Sequence, residues 1–412
     1  MEYKFNNDVK RFNIGGVEII GNLQNGSYCG LSEQGKSVVS KIEHEEELSL
    51  LTRTSNRKLL GYLKDAGFFC DQTDKNIVLS AYLHVTNRCN LRCVGCYSED
   101  CTRNREQDLT LEQEKFILDR LADLGVKMLV ISGGETLMRK DLHEIVRYAK
   151  ETKGLPYICI LSNGLLLTDE RAQQLAPYAD EYSISIDSFD ENCTAYIRRE
   201  NRFAELMQAV EIAKKYFKKV NILPTIHRKN IDNIEKYIAL SKKLSVNISF
   251  SILTCSPEGE AGNLIPDRAQ LEYLGQAFKP GEQVELRSND VNEFSMTACE
   301  KCGVGEQILS IGANGTVYPC HMCHDDALKL GNILEDDIQT ILQNRDQCIC
   351  HAKTDYIDDC KDCKYKYFCG GGCRARAFMN TGTLSGKDPY CPMFKSYIQS
   401  FEKMLQQKYG MS

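Results

Sequence analysis

The sequence predicts an α/β protein in three parts, on three observations. Between Ala81 and about residue 280, short apolar runs alternate with stretches of helical periodicity, which implies a parallel sheet with right-handed crossovers. Before residue 80, short strand candidates joined by glycine-bearing turns precede two helix candidates. After about residue 295 the chain turns cysteine-rich, with eleven of its 20 cysteines between Cys299 and Cys391.

A chain of 412 residues is long enough for two or three domains. Its net charge is −6 and it carries no long basic run, so no nucleic-acid and no membrane partner is expected. No apolar segment approaches the length of a membrane span, and Met1 to Lys10 is polar rather than a signal peptide. Twenty cysteines without a secretion signal point to metal ligation in a reducing cytoplasm rather than to disulfides.

In the leading part, Phe12–Ile14, Val17–Leu23 and Tyr28–Leu31 read as strands. Gly15-Gly16 and Asn25-Gly26 stand between them, and Asn-Gly between apolar runs marks a hairpin. Ser32 is placed as the N-cap of a helix through Ile42. An acidic linker, Glu43–Glu47, then leads to a second helix near Asn56–Ala66, closed by Gly67. Strands followed by helices in so few residues predict a winged-helix-like unit, residues 1–80.

In the middle part, residues 81–285, strands are expected at Tyr82–Val85, Met128–Ile131, Tyr157–Leu161, Tyr182–Ile186, Val220–Leu223 and Ile248–Leu253. Helices are expected near Leu111–Leu124, Leu142–Glu151, Asp169–Leu175, Phe203–Tyr216, Ile231–Leu244 and Asp267–Phe278. In sheets of this kind chemistry gathers at the C-terminal ends of the strands. Directly after the first strand stands Cys89-x3-Cys93-x2-Cys96-Tyr97. Three thiolates on one loop can hold three corners of an iron–sulfur cube, whose usual ligand count is four. The open corner is a reactive position, and a zinc knuckle would want a fourth ligand nearby. After the second strand comes Ser132-Gly133-Gly134-Glu135, after the third Ser162-Asn163-Gly164, and the fourth ends in Ser185-Ile186-Asp187. Paired glycines let backbone approach a ligand, and a carboxylate can accept from a cationic amine. Cys101, Cys159, Cys193 and Cys255 fit no ligand spacing and are expected as buried apolar cysteines, and His84 is expected to pack in the core.

The three-cysteine loop, with the Gly-Gly-Glu segment one unit later, resembles the signature of radical S-adenosylmethionine (SAM) enzymes. The resemblance implies an open, partial TIM-like (β/α)6 barrel. It also implies SAM chelating the open iron and one-electron cleavage to methionine and a 5′-deoxyadenosyl radical. It assigns Cys89, Cys93 and Cys96 to the cluster and Gly133, Gly134 and Glu135 to SAM's amino group. Ser162, Asn163, Ser185 and Asp187 would meet its ribose and carboxylate, and Arg198 or Arg199 would pair with the carboxylate. Glu258–Gly262 would pack on the adenine. Two positions depart from the family pattern: Thr136 stands where proline is frequent, and Gly95 stands where an aromatic usually precedes the third cysteine. Tyr97 is expected to cover the adenine in its place.

The last part, residues 286–412, has a hairpin candidate, Gln307–Ile311 and Thr316–Tyr318, turned by Asn314-Gly315. The cysteines run Cys302-x12-Gly315-x4-Cys320, then Cys360-x2-Cys363-x5-Cys369-x3-Cys373, then Cys391. A zinc ribbon would account for one of these pairs and leave the rest. The arrangement resembles the SPASM domain of radical SAM enzymes that act on peptides. It implies a first auxiliary cluster on Cys302, Cys320 and Cys373 and a second on Cys360, Cys363, Cys369 and Cys391. Cys299 would be the fourth ligand of the first, or that iron is open to a substrate sulfur. Cys323, Cys348, Cys350, His321, His324 and His351 receive no role.

Together these resemblances imply a peptide maturase with three [4Fe–4S] clusters and SAM. Its partners would be a precursor peptide, whose leader binds residues 1–80 by β-augmentation, and a flavodoxin- or ferredoxin-like reductant. The expected product is a thioether from cysteine sulfur to carbon; no side chain is identified as catalytic. Alternatives are sulfatase-maturating-type oxidation of Cys or Ser, carbon–carbon crosslinking, epimerisation, and a non-enzymatic iron–sulfur sensor or scaffold.

Overall fold

The computed structural model describes residues 3–44, 57–69, 78–99, 103–105, 107–277 and 296–408. Most of the expected acidic linker, and Cys101, lie outside the described residues. The leading part follows the expected order of strands and then helices. β1 (Val9–Ile14) turns through Gly15-Gly16 into β2 (Val17–Asn22), with Ile14 opposite Val17, and β3 (Tyr28–Gly30) pairs with the other edge of β2. The Ser32 hydroxyl caps α1 (Glu33–Glu43) by accepting from Gly35 N–H at 3.2 Å. After α2 (Arg57–Asp65), Phe68 N–H donates back to Leu63 O at 2.9 Å, closing the helix around Gly67. Ile20, Leu31, Val39, Leu63 and Phe68 form a small core of their own. Aromatic edges fix this sheet to the C-terminal part: Phe12 meets Tyr367 and Phe368 at 5.4 and 5.2 Å, and Tyr28 meets Phe368 at 4.9 Å.

The middle part builds a parallel sheet whose neighbours follow chain order. β4 (Ser80–His84), β5 (Met128–Ser132), β6 (Tyr157–Ser162), β7 (Glu181–Ile186) and β8 (Val220–Ile226) pair in succession. α3 (Leu111–Asp123), α4 (Leu142–Arg147), α5 (Asp169–Leu175) and α6 (Phe203–Tyr216) lie in the connections, and α7 (Ile234–Leu244) follows β8. The strands are largely buried because both faces are covered, and their buried polar residues Glu181, Ser183 and Asn221 are hydrogen-bonded to one another. The sixth expected strand is split. β9 (Asn247–Ile248) and β10 (Ser251–Ile252) keep one register against β8 but are interrupted at Ser249-Phe250. In that register Phe250 falls opposite Pro224, which has no N–H to give the ladder.

After the short α8 (Gly259–Gly262) and α9 (Arg268–Ala277), the chain returns to the opposite edge of the sheet. β11 (Ile308–Ile311) pairs in parallel with β4, Ile308 to Ser80 through Ile311 to Leu83. β12 (Thr316–Tyr318) and β13 (Gly331–Asn332) extend it as antiparallel strands, turned at Asn314-Gly315 as expected. The remainder is helical: α10 (Ile338–Ile349), α11 (Lys366–Cys369), α12 (Arg374–Thr381) and α13 (Cys391–Lys408). α13 lies against α9 at Gly275, where a Cβ would sit 2.3 Å from Met393 O.

A buried arginine ties the strand ends together. Arg139 donates to Val85 O at 2.8 Å and Leu109 O at 2.7 Å, and it pairs with Glu114 at 2.8 Å and Asp141 at 2.9 Å. Removing one partner of such a pair strands the other charge in the interior. Arg139→Ala is therefore expected to lose about 3–5 kcal/mol of stability, read as a lowered urea midpoint, whereas Arg199→Ala, at an exposed ion pair, should stay near wild type.

Candidate active site

The three-cysteine loop leaves the C-terminal end of β4 and is shaped by backbone packing. Val94 N–H donates to Ile197 O at 2.7 Å, and Val94 packs with Ile197, Leu253, Cys255 and Leu264. Gly95 has φ +68°, and a Cβ there would meet Ala261 at 3.2 Å and Leu253 at 3.3 Å. The missing aromatic thus has a structural cause: the 258–262 segment packs on the cysteine loop itself. Cys89, Cys93 and Cys96 are half-buried, and Cys93 lies in electrostatic contact with both others. Burial pushes Cys93 up to about 12, with Arg198 opposing, and burial also raises Cys89 against the Leu91 N–H and Arg103. Metal must displace these protons to bind as thiolate.

The Gly-Gly-Glu segment is pressed against the residues just before that loop. A Cβ on Gly133 would come within 2.3 Å of Thr86 O, and one on Gly134 within 2.2 Å of Arg88 O. Gly134 and Glu135 N–H donate to those same carbonyls, each at 2.8 Å. The glycines therefore let backbone approach backbone, which sets the height of Glu135 beside the cysteines. Glu135 is 1% exposed and accepts from Ser162 Oγ at 2.7 Å, Asn163 N–H at 2.6 Å and Leu137 N–H at 3.0 Å. Burial raises its pKa, while these donors pull the other way.

Of the two arginines offered by the sequence, Arg198 is the buried one. It donates to Ser185 O and to Asn163 O (3.3 Å), and its own N–H donates to Asp187 Oδ2 at 2.7 Å. Burial raises Asp187 and Arg198 opposes it. Arg199 instead lies outside, paired with Glu260 at 2.6 Å. Glu135, Ser162, Asn163, Ser185, Asp187 and Arg198 thus form one connected set at the ends of β5, β6 and β7, facing Cys93.

Tyr97 stands at the end of β4 and β5, among polar and aromatic side chains. Its hydroxyl shares a hydrogen bond with Ser132 Oγ at 3.0 Å, and its ring meets the edges of His84 (6.0 Å) and His321 (5.6 Å). Burial pushes its pKa up to about 12. It belongs to an array that the sequence did not reveal. Tyr82 stacks on His321 at 4.0 Å, His84 on His324 at 4.4 Å, and His324 on Tyr318 at 4.3 Å. His324 Nε2 is 2.8 Å from Ser310 Oγ, and His321 Nδ1 is 3.6 Å from Cys320 Sγ. His84 is buried as expected, yet against histidines rather than aliphatic side chains. Its Nε2 has no hydrogen-bond partner among the described residues. Burial, then His324 and His321, hold it well below the usual imidazole range. The only warning in the sequence was His321 directly following Cys320.

Arg103 was also missed, for lack of any spacing signal. It is buried and donates to Ser98 Oγ at 2.8 Å and Cys96 Sγ at 3.5 Å.

In the tail, Cys360, Cys369 and Cys391 lie in mutual electrostatic contact, and Cys363 adjoins Cys360 and Cys391. Cys302, Cys320 and Cys373 gather in a separate apolar pocket together with Cys323. Among the described residues no three His, Cys, Asp or Glu side chains stand close enough to hold a single metal ion. The tail thiols stand as two groups, Cys302, Cys320, Cys323 and Cys373 in one and Cys360, Cys363, Cys369 and Cys391 in the other.

Residues 83–241 match the radical SAM superfamily model, and residues 299–364 match the SPASM iron–sulfur cluster-binding domain. The chain is a SAM-dependent radical enzyme. It is 27% identical over 339 residues to the AdoMet-dependent heme synthase of Methanosarcina barkeri, covering 74% of this chain and 94% of the relative. It is 27% identical over 345 residues to the PqqA peptide cyclase of Bradyrhizobium diazoefficiens, covering 79% and 90%. SuiB of Streptococcus suis, solved with S-adenosylmethionine, shares the fold with a TM-score of 0.58 at 15% identity, covering 94% of this chain and 99% of SuiB. Among the described residues no helix is long and apolar enough to cross a membrane.

Arg103→Leu removes a buried cation beside Cys96. Retention of iron by the three-cysteine site should weaken about 10–100-fold, as for partners that support metal ligands. Arg103→Lys should recover part of it, measured as iron kept against a chelator.

Proposed function

We propose that this radical SAM enzyme matures a ribosomally made precursor peptide by installing thioether crosslinks between cysteine sulfur and carbon. The observation that carries the reading is the Tyr97–His321 contact. Each ring is one residue from a proposed cluster cysteine, Cys96 and Cys320, so the loops that carry the two cysteine sets meet at this contact. Peptide chemistry is supported by the relatives, one a PqqA peptide cyclase and one, SuiB, solved bound to its precursor peptide SuiA.

Cys89, Cys93 and Cys96 would hold one [4Fe–4S] cluster, and the tail cysteines two more. When bound, such a group supplies the single electron that cleaves SAM. The protein's own residues bind and orient. Gly133, Gly134 and Glu135 would take SAM's amino group, through backbone carbonyls and the remaining lone pair of Glu135 Oε2. Ser162, Asn163, Ser185 and Asp187 would meet its ribose and carboxylate, with Arg198 as the carboxylate's counter-charge. The open parallel sheet is read as the partial barrel around this site. Tyr97, Tyr82 and His84 would shield a reactive carbon from water and side reactions. His321 would accept the proton of the peptide's thiol S–H. Residues 1–80 would dock the leader at a strand edge and raise the local concentration of the core peptide. A flavodoxin- or ferredoxin-like protein would supply electrons.

The rival sulfatase-type oxidation is disfavoured by His321. Those enzymes typically carry an aspartate at that position, and the leading domain also sets this chain apart.

The test is co-expression with whatever small cysteine-bearing reading frame lies beside the gene, followed by mass spectrometry. A thioether predicts a peptide lighter by two hydrogens, with alkylation at that cysteine lost. An unchanged mass, or a free cysteine in a lighter peptide, would overturn it. Cys93→Ala should abolish both the product and the release of 5′-deoxyadenosine.

A further inference from the structure

We propose that Cys323 is the fourth ligand of the first auxiliary cluster, completing a set with Cys302, Cys320 and Cys373, and that Cys299 is not part of it. The inference rests on the reading of the tail as a cluster-bearing domain and goes beyond it, because the family pattern gives Cys323 no role.

Cys320 and Cys323 close a tight turn, with Cys323 N–H donating to Cys320 O at 2.9 Å. A Cys-x2-Cys pair on a turn is the spacing by which two thiolates reach one metal centre. Both side chains are almost fully buried, at 3% and 2% exposure, and they share a pocket of Val304, Leu328, Ile349 and Leu384 that is separate from the main core. Cys373 lies in the same pocket and Cys302 packs against it. Cys323 is in electrostatic contact with all three of these thiols.

Cys299 is held elsewhere. Its N–H donates to Tyr367 O at 2.8 Å, and its thiol points to Phe368 O at 3.8 Å. A Cβ on Gly370 would lie 2.9 Å from its Sγ. It is in electrostatic contact with Cys302 and also with Cys369, which belongs to the second set. Its thiol is thus held against α11, outside the pocket that Cys302, Cys320, Cys323 and Cys373 share. Cys348, at the pocket's edge, is half-buried and lies near Cys350.

Four protein thiolates leave no iron corner open to a substrate sulfur. The peptide's cysteine would then be positioned by side chains around His321, not by coordination.

The test uses the full chain with Cys89, Cys93 and Cys96 all changed to Ala, so that only tail iron is counted. This background should hold about 8 irons per chain, and its reduced EPR spectrum should show no hyperfine coupling to added 13C-cyanide. Adding Cys323→Ala should open a corner and produce that coupling. Cys323→Ser, which keeps a ligand oxygen, should retain iron with shifted g values, and Cys299→Ala should change neither property. Cyanide coupling in the background, an indifferent Cys323 or a responsive Cys299 would overturn the ligand assignment alone. A background with almost no iron would instead sink the cluster-domain reading.

Discussion

The pairing of β11 with β4 is the constraint on which the site depends. Ser80 N–H donates to Gln307 O at 2.8 Å, and the register then runs to Ile311 opposite Leu83. Ser310 thus stands opposite both Tyr82 and Tyr318, in a row across three strands. Side chains alternate along a strand, so a slip of one residue would turn this row to the other face. The loop after β12 carries Cys320, His321 and His324, and this register brings those histidines onto Tyr82 and His84. A tail hung on a flexible linker would not fix the loops of the two cysteine sets against each other; a tail built into the sheet does.

Burial governs the chemistry that this frame permits. Cys93, Tyr97, Glu135, Asp187 and His84 are all pushed toward their neutral forms. The buried guanidiniums facing them are Arg198 and Arg103, one beside Cys93 and one beside Cys96 and Cys89. Charge is thus costly here except where one of these guanidiniums stands beside it, which suits a site proposed to hold the zwitterionic end of SAM.

Much of this was legible in the sequence because it is periodic or punctuated. The strand–helix alternation, the Asn314-Gly315 turn, the Ser32 cap and the clustered cysteines all rest on local chemistry, and the structure places those elements as expected. The split at Ser249-Phe250 was not visible, because it arises from Pro224 on a neighbouring strand. Gly95 looked like a defect in a motif and proves to be a packing requirement set by Ala261 and Leu253. The His–Tyr array could not be read at all: Tyr82 and His84 are more than two hundred residues from His321 and His324 in the chain. Arg103 and Cys323 likewise gain meaning only from what folds against them.

The central claim is that the two cysteine sets face each other across the Tyr97–His321 contact. An anaerobic crystal structure of the cluster-loaded enzyme with SAM tests it directly. The account predicts Tyr97 and His321 still in contact, with SAM on the Cys93 side and the Cys320 cluster on the other. A structure with His321 turned away and the Cys320 cluster opening onto a different face would contradict it.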